Sequence, residues 1–203
     1  MKAIYKLGTL MMHGLNLQFY FLVKLLQGGI VLGFFPAILS VYRLIQRALV
    51  EDAPPAFKFR EAANKFDKRE FLVMNVLGFG FTVVFLLLWL NLRISAEVIR
   101  NWFFHGLTLL IMAILISTFL HMIPVIGKYE LPIRQYILQG FLCSIVGFFE
   151  TLAIIVGMAF AAGIGLLVPP VGFFMGVPLI IFPHVWFSRH SIRRLESIFY
   201  KGN

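Results

Sequence analysis

Five apolar stretches, each close to the length needed to cross a lipid bilayer, restrict this chain's fold more than any other feature. A hydrocarbon core about 30 Å thick is crossed by roughly 20 apolar residues in an α-helix. Backbone groups in lipid find partners only within helices or closed barrels. We therefore predict an all-α fold, a polytopic membrane helix bundle with about five transmembrane helices and cytoplasmic amphipathic helices. The predicted spans are residues 15–36, 71–92, 102–122, 136–163 and 172–187.

The composition supports lipid as the main solvent. The 203 residues are 60% hydrophobic and only 13% charged, whereas a soluble domain carries about 25% charged residues. A chain of this length cannot hide so much apolar surface in one water-soluble core, because small domains leave a large share of their surface exposed. The sequence thus predicts a single membrane domain over residues 1–203 and excludes an ordinary soluble protein.

The distribution of Lys and Arg predicts the orientation of the chain. Most of these residues lie in the connection 43–70, in the loop after the third span and in the tail 188–203. Basic residues collect in cytoplasmic loops, so the net charge of +9 needs no nucleic-acid partner to explain it. We expect a multi-pass plasma-membrane protein with its N-terminus outside and its C-terminus in the cytoplasm.

Two stretches on the predicted cytoplasmic side combine helical apolar spacing with basic residues. One lies in the connection 43–70 and the other in the tail 188–203. Such helices lie on an anionic membrane surface, at about 1 kcal/mol per basic residue. The predicted partner is therefore a bilayer with an anionic inner leaflet, and docking onto a protein is the alternative. The interaction face consists of Arg43, Arg47, Arg60, Lys65, Lys68, Arg69, Arg193 and Arg194.

The first apolar run is too long for one span and contains a proline. Residues 15–49 would extend about 52 Å as one continuous helix, far beyond the thickness of a bilayer. Proline removes a helical hydrogen bond and clashes with the preceding turn. The sequence therefore predicts a helix hinge at Gly33 and Pro36, with Arg43 marking the cytoplasmic exit.

A combination of short motifs in the N-terminal 80 residues points to a family. A Gly-x-Phe-Pro-Ala segment is followed by a basic helix end, then by a basic-Glu-Phe entry into the second span with an asparagine soon after. The residues are Gly33, Phe35, Pro36, Ala37, Arg43, Arg69, Glu70, Phe71 and Asn75. This combination resembles the YesL-like family of small bacterial membrane proteins of unknown function. Members occur mainly in Gram-positive bacteria and tend to be encoded beside carbohydrate-import or glycan-degradation genes. The resemblance implies an accessory role with an oligosaccharide ABC importer.

Two ionisable side chains, Lys24 and Glu150, fall inside predicted spans. Charged groups in lipid are rare and mark either structural pairs or functional sites. One interpretation is an ion pair between the two, or a snorkelling Lys24 with Glu150 protonated or hydrogen-bonded to Asn75 or Gln139. The other is a substrate, ion or proton site between helices. Lys24, Glu150 and Asn75 are the candidate binding residues.

No pattern of catalytic or metal chemistry is present in the sequence. His105 and His121 are 16 residues apart, about 24 Å along one helix, which excludes a shared metal ion on that helix. No His-Glu-x-x-His segment, phosphate-binding loop or nucleophile elbow occurs. We expect no catalytic residue, metal site or cofactor. Small-residue spacings at 29–33 and 172–176 permit close helix packing, either within the chain or in a homo-oligomer.

These observations leave two classes of function. The first is a non-enzymatic accessory membrane protein that binds subunits of a carbohydrate ABC importer, or its regulators, through a basic cytoplasmic face. The second is a small transporter or channel with a polar intramembrane site around Lys24 and Glu150. Polar groups in the spans are sparse and the two halves show no inverted repeat, which argues against the second class.

Overall fold

The computed structural model describes residues 2–51, 64, 66–98 and 102–199. Over those ranges the chain forms helices and no strand, which confirms the predicted all-α bundle. In chain order the helices are α1 (Lys2–Gln27), α2 (Ile30–Glu51), α3 (Lys68–Val98), α4 (Trp102–Lys128), α5 (Ile133–Val146), α6 (Phe148–Leu167) and α7 (Pro169–Phe199). Among the described residues, five segments are long and apolar enough to cross a membrane, as expected of a multi-pass protein. They are Ile30–Val50, Lys68–Ile94, Trp102–Lys128, Phe148–Leu167 and Pro169–Ser197.

Pairs of contacting residues show how the spanning helices run. His184 of α7 contacts the carbonyl of Leu120. Further along both helices, Lys128 pairs with Glu196, so α4 and α7 run in the same direction. Contacts along α2 and α7 follow the same order, whereas α3 runs antiparallel to α2 and α6 antiparallel to α7. The C-terminal ends of α2, α4 and α7 therefore lie at the same end of the bundle as the beginnings of α3 and α6.

That end of the molecule carries most of the charge and is called the charged end below. It comprises Arg43, Arg47, Lys68, Arg69, Glu70, Lys128, Glu130, Arg134, Arg189, Arg193, Arg194 and Glu196. At the opposite end, Trp89 stacks under the Arg93 guanidinium at 5.5 Å, and Trp102 is 89% exposed. Tryptophans with a nearby basic residue are typical of a membrane–water interface.

The break in the first apolar run lies at Gly28–Gly29, where α1 ends and α2 begins. Gly29 has a φ of 71°, a left-handed conformation that glycine adopts without the steric strain of a side chain. Immediately after the break the backbone of Gly33 lies against the Leu25 carbonyl. The predicted span 15–36 is thus two helices, and the candidate span is Ile30–Val50 instead.

The chain does not end a helix at the predicted hinge of Gly33 and Pro36, because the break between helices lies earlier, at Gly28–Gly29. Pro36 lies inside α2, which continues to Glu51. The proline falls in the second turn, so it forgoes one hydrogen bond near the start of the helix, and it is buried by its neighbours. Ser40 donates from its hydroxyl to the Pro36 carbonyl at 2.9 Å. Gly33 is a position of close packing against Leu25 of α1.

The predicted fourth span, residues 136–163, also consists of two helices. The chain breaks at Gly147, with φ −101° and ψ 38°, and α6 alone qualifies as a span. The 14 residues of α5 extend about 21 Å, less than the hydrocarbon core. A side chain at Gly147 would overlap Ser191 of α7, so the break brings the chain into close contact with α7.

The predicted fifth span, 172–187, and the predicted tail, 188–203, form one helix over most of their length. α7 runs from Pro169 to Phe199 and contains both Pro178 and Pro183. The basic stretch of the tail was expected to lie on the membrane surface, but its apolar residues Ile192 and Leu195 are only 4% and 9% exposed. Their apolar face packs on the bundle, because α7 runs beside α4 as far as the charged end, where Glu196 meets Lys128.

The remaining segments agree with the sequence where the structure describes them. Residues 71–92 lie within α3, and residues 102–122 lie within α4. Of the connection 43–70, residues 52–63 and 65 lie outside the described ranges. The amphipathic helix predicted there, with Arg60 and Lys65 of the interaction face, therefore falls mostly on residues that the structure does not describe.

Candidate functional site

Lys24 lies in the last turn of α1 and is only 4% exposed. Its ammonium donates to the Asn64 carbonyl at 2.5 Å and lies 4.9 Å from the centre of the Phe66 ring and 5.8 Å from that of Tyr20. α1 is not one of the five candidate spans, and burial lowers the pKa of the Lys24 ammonium. The lysine thus has a carbonyl and two aromatic rings as partners.

Glu150 lies in the first turn of α6 and is 8% exposed. Its Oε1 accepts a hydrogen bond from Arg194 Nη2 at 2.8 Å, and a carboxylate at this end of a helix also interacts favourably with the helix dipole. Its Oε2 is buried and has no hydrogen-bond partner in the described structure. Glu150 therefore pairs with Arg194, and not with Lys24, Asn75 or Gln139.

Asn75 lies near the start of α3 and is 9% exposed. Its side-chain nitrogen donates to the Phe71 carbonyl one turn earlier, at 2.8 Å. Its Oδ1 is buried without a hydrogen-bond partner among the described residues. The three candidate binding residues thus have separate partners, and no hydrogen bond or ion pair within the described ranges joins them.

A cluster of buried polar side chains that the sequence analysis missed lies between α2, α4 and α7. Tyr42 and Ser188 are fully buried, and their hydroxyls share a hydrogen bond of 2.8 Å. His184 donates from Nε2 to the Leu120 carbonyl at 2.7 Å, and its ring centre lies 5.3 Å from that of Tyr42. These contacts hold three spanning helices together through satisfied polar groups, and the cluster is called the polar core.

The polar core continues towards Glu150 through His121 and Ser191. His121 donates from Nδ1 to the Ser117 carbonyl at 3.0 Å, which leaves Nε2 of the neutral ring to accept from the Ser191 hydroxyl at 3.2 Å. Ser191 packs on Gly147, and His121 interacts electrostatically with Glu150. The sequence signal was present, since both histidines interrupt apolar runs, but their partners lie on other helices.

Removing the Tyr42 hydroxyl tests the polar core. Tyr42→Phe is expected to lower the free energy of unfolding by about 1 kcal/mol, because one buried hydrogen bond is lost. Ser188 keeps a longer contact to the Val185 carbonyl at 3.3 Å. Titration from a mild detergent into SDS measures the change. Ser188→Ala should lower the free energy of unfolding less in the Tyr42→Phe variant than in the wild type. Strict additivity of the two changes would contradict a shared hydrogen bond.

The charged end contains both paired and unpaired basic residues. Arg43 pairs with Glu70 at 2.6 Å, and Lys128 pairs with Glu196. The Arg69–Glu130 pair at 3.0 Å is largely exposed, and exposed pairs contribute little to stability. Several basic side chains are exposed and make no ion pair with any described residue. They are Arg47, Lys68, Arg134 and Arg193, and Arg134 is the one that the predicted interaction face did not include.

No metal site is visible in the described part of the chain. His121 and His184 both belong to the polar core, but each is held by a backbone carbonyl. Over the described ranges no group of three His, Cys, Asp or Glu side chains is placed to hold a metal ion. Cys143 is buried and has no disulfide partner.

Comparisons with known proteins support similarity to a family without an assigned activity. The chain is 26% identical over 202 residues to the uncharacterized protein YesV of Bacillus subtilis (strain 168). The aligned region covers 97% of this chain and 91% of YesV. No solved structure matches the chain. Residues 14–92 match the model of a family described as "Protein of unknown function, DUF624". That range includes every residue on which the family resemblance was based.

Proposed function

We propose that this protein is a non-enzymatic accessory protein of the membrane that binds a partner complex through its charged end. The proposed partner is a carbohydrate ABC importer or its regulators, as the resemblance to the YesL-like family implies. The supporting observation is the set of exposed basic residues that lack an ion pair within the described structure. They lie on four different helices but at one end of the bundle: Arg47, Lys68, Arg134 and Arg193. Exposed charges of one sign guide association and fix the register of a complementary partner.

The interior of the bundle supports a binding role over a transport role. Tyr42, His121 and His184 use their polar atoms for contacts between or within helices. Side chains that are satisfied in this way are not available to coordinate a substrate. The accessory role therefore relies on the surface of the charged end.

Co-purification from native membranes tests this function. The tagged wild-type protein is expected to retain importer subunits, and Arg47→Glu with Arg193→Glu should reduce their recovery at least about tenfold, equivalent to about 1.4 kcal/mol. Arg93→Glu, at the opposite end, is the matched control and should retain them. Equal recovery from both variants, or no importer subunit with the wild type, would contradict the proposal.

The alternative is a small transporter or channel with a polar site around Lys24 and Glu150. One observation favours it, namely that the buried Oε2 of Glu150 is left without a partner in the described structure. Purified protein in liposomes should then support substrate-dependent flux that Glu150→Gln abolishes. Flux that is absent, or unchanged by Glu150→Gln, would exclude this alternative.

The orientation is tested by labelling introduced cysteines. We propose that the charged end faces the cytoplasm, because basic residues are retained there. Cys143 is buried, so background labelling should be low. A membrane-impermeant thiol reagent on intact cells should label Arg93→Cys but not Lys68→Cys, and both after permeabilisation. Labelling of Lys68→Cys in intact cells would reverse the orientation.

A further inference from the structure

A cleft of about 320 Å³ opens between α5 and α7 beside the charged end. Leu138, Leu142 and Leu195 form its apolar walls, and Tyr129, Gln135 and Glu196 give it polar groups near the charged end. Ligand sites have volumes of roughly 300–1,000 Å³. The cleft is therefore too small for a whole phospholipid and large enough for part of one acyl chain.

The position of the cleft follows from the break at Gly147. Because α5 has only 14 residues, it does not cover the full length of α7. Gln135 lies in the first turn of α5, and Leu142 lies two turns further along the helix. A bound molecule would thus meet Tyr129, Gln135 and Glu196 near the charged end, and at greater depth Leu138 and Leu142 with Gln139 between them. That order of polarity matches the order along a membrane lipid.

The charges around the cleft favour an anionic headgroup. The Glu196 carboxylate accepts from both Lys128 and Tyr129, so the acidic group of the cleft is already neutralised. Arg134 precedes Leu138 by one helical turn on the same side of α5, is exposed, and makes no ion pair with any described residue. Arg193 also interacts electrostatically with Glu196. The charge left over beside the cleft is positive.

We propose that the cleft between α5 and α7 binds one acyl chain of an anionic phospholipid, whose headgroup phosphate lies against Arg134. The largely apolar walls favour an acyl chain over a small polar ligand, and α7, which forms one wall, is long and apolar enough to cross a membrane. The arginine guanidinium binds phosphate with two parallel hydrogen bonds. This site is more specific than the general attraction of a basic surface to an anionic leaflet, because it combines a shaped apolar cleft with one arginine. It requires no importer, and its test is independent of the proposed accessory function.

Native mass spectrometry of the purified full-length protein tests the site. The protein is equilibrated with phosphatidylglycerol or phosphatidylcholine of identical acyl chains, and the retained lipid is counted. The wild type is expected to retain phosphatidylglycerol preferentially. Arg134→Gln should weaken its retention about fivefold, the factor given by about 1 kcal/mol per basic residue near the membrane surface. Leu138→Trp, at a position 57% exposed, should fill the cleft and reduce retention of both lipids.

Arg47→Gln is the matched control, since it removes the same charge from the same end of the bundle but away from the cleft. It should retain phosphatidylglycerol as the wild type does. Addition of inorganic phosphate should not displace the lipid, because the acyl chain supplies part of the affinity. Equal retention of the two lipids by the wild type would overturn the proposal. So would equal losses in Arg134→Gln and Arg47→Gln, or unchanged retention in a folded Leu138→Trp variant.

Discussion

Replacing Arg194 with methionine is expected to lower the free energy of unfolding by about 3 kcal/mol. Removing one partner of a buried ion pair leaves an uncompensated charge, which costs about 3–5 kcal/mol. Glu150 is 8% exposed, and its Oε2 already lacks a partner within the described ranges. Without Arg194, Oε1 would lose its hydrogen bond as well, and the carboxylate of a buried residue would have no partner within the described ranges. The value lies at the lower end of the range because the Arg194 side chain is 52% exposed.

The reverse change, Glu150→Gln, should be much milder, at about 1 kcal/mol. The half-exposed Arg194 guanidinium then remains in contact with solvent, and a neutral amide carries no buried charge. Titration from mild detergent into SDS measures each variant. The double variant Glu150→Gln with Arg194→Met should be more stable than Arg194→Met alone, because no unpaired carboxylate remains.

An exposed ion pair provides the control for this comparison. Arg69→Met breaks the pair with Glu130, whose side chain is 90% exposed, and should change stability by less than about 0.5 kcal/mol. If Glu150→Gln destabilised the protein as much as Arg194→Met, the burial of charge on Glu150 would not be the cause. A double variant that is more stable than Arg194→Met would support the burial of charge as the cause.

Gly33→Ala is expected to destabilise the protein by about 2–3 kcal/mol. A Cβ at Gly33 would overlap the carbonyl oxygen of Leu25, and the three nearest atoms that it would meet all belong to the Leu25 backbone. A side chain can change rotamer to relieve overpacking, but two helix backbones must move apart, so the cost lies at the upper end of about 1–3 kcal/mol. The measurement is again unfolding in SDS, together with the yield of folded protein.

Gly80→Ala is the matched control, because nothing lies within 4 Å of a Cβ built at Gly80. It should be neutral or stabilising by up to about 1 kcal/mol, as expected for alanine in place of glycine in a helix. Equal stability of the Gly33→Ala and Gly80→Ala variants would contradict the close approach of α1 and α2. Loss of stability in Gly33→Ala alone supports it.

The positions of the helix breaks show where sequence reasoning stopped being sufficient. Pro36 looked like the joint in the first run because proline usually ends or bends a helix. The structure keeps Pro36 inside α2 and breaks the chain at Gly29, with its positive φ. Gly147 lies in the middle of the predicted fourth span, but it divides α5 from α6 where Ser191 approaches. The role of a glycine depends on what packs against it.

The candidate site was predictable in part. Lys24, Glu150 and Asn75 stood out because charged and amide groups are unusual among apolar residues, and all three are buried. Their partners were not predictable. Glu150 contacts Arg194, which had been assigned to a surface face 44 residues away in the sequence. An ion pair between Lys24 and Glu150 would require the two side chains to lie at the same depth, and their depths depend on helix breaks that the sequence pattern did not reveal.

Hydrophobic length alone predicted an all-α membrane bundle with about five spans, and the described residues form helices, five of which are long and apolar enough to cross a membrane. In lipid every backbone group needs an internal partner, and about 20 apolar residues can satisfy that need only as a helix. The tertiary structure decided where the helices break, why residues 188–199 continue α7, and which polar groups meet in the polar core. Those features depend on contacts between residues distant in the chain, such as Tyr42 with Ser188 and Glu150 with Arg194. Local periodicity carries no record of such contacts.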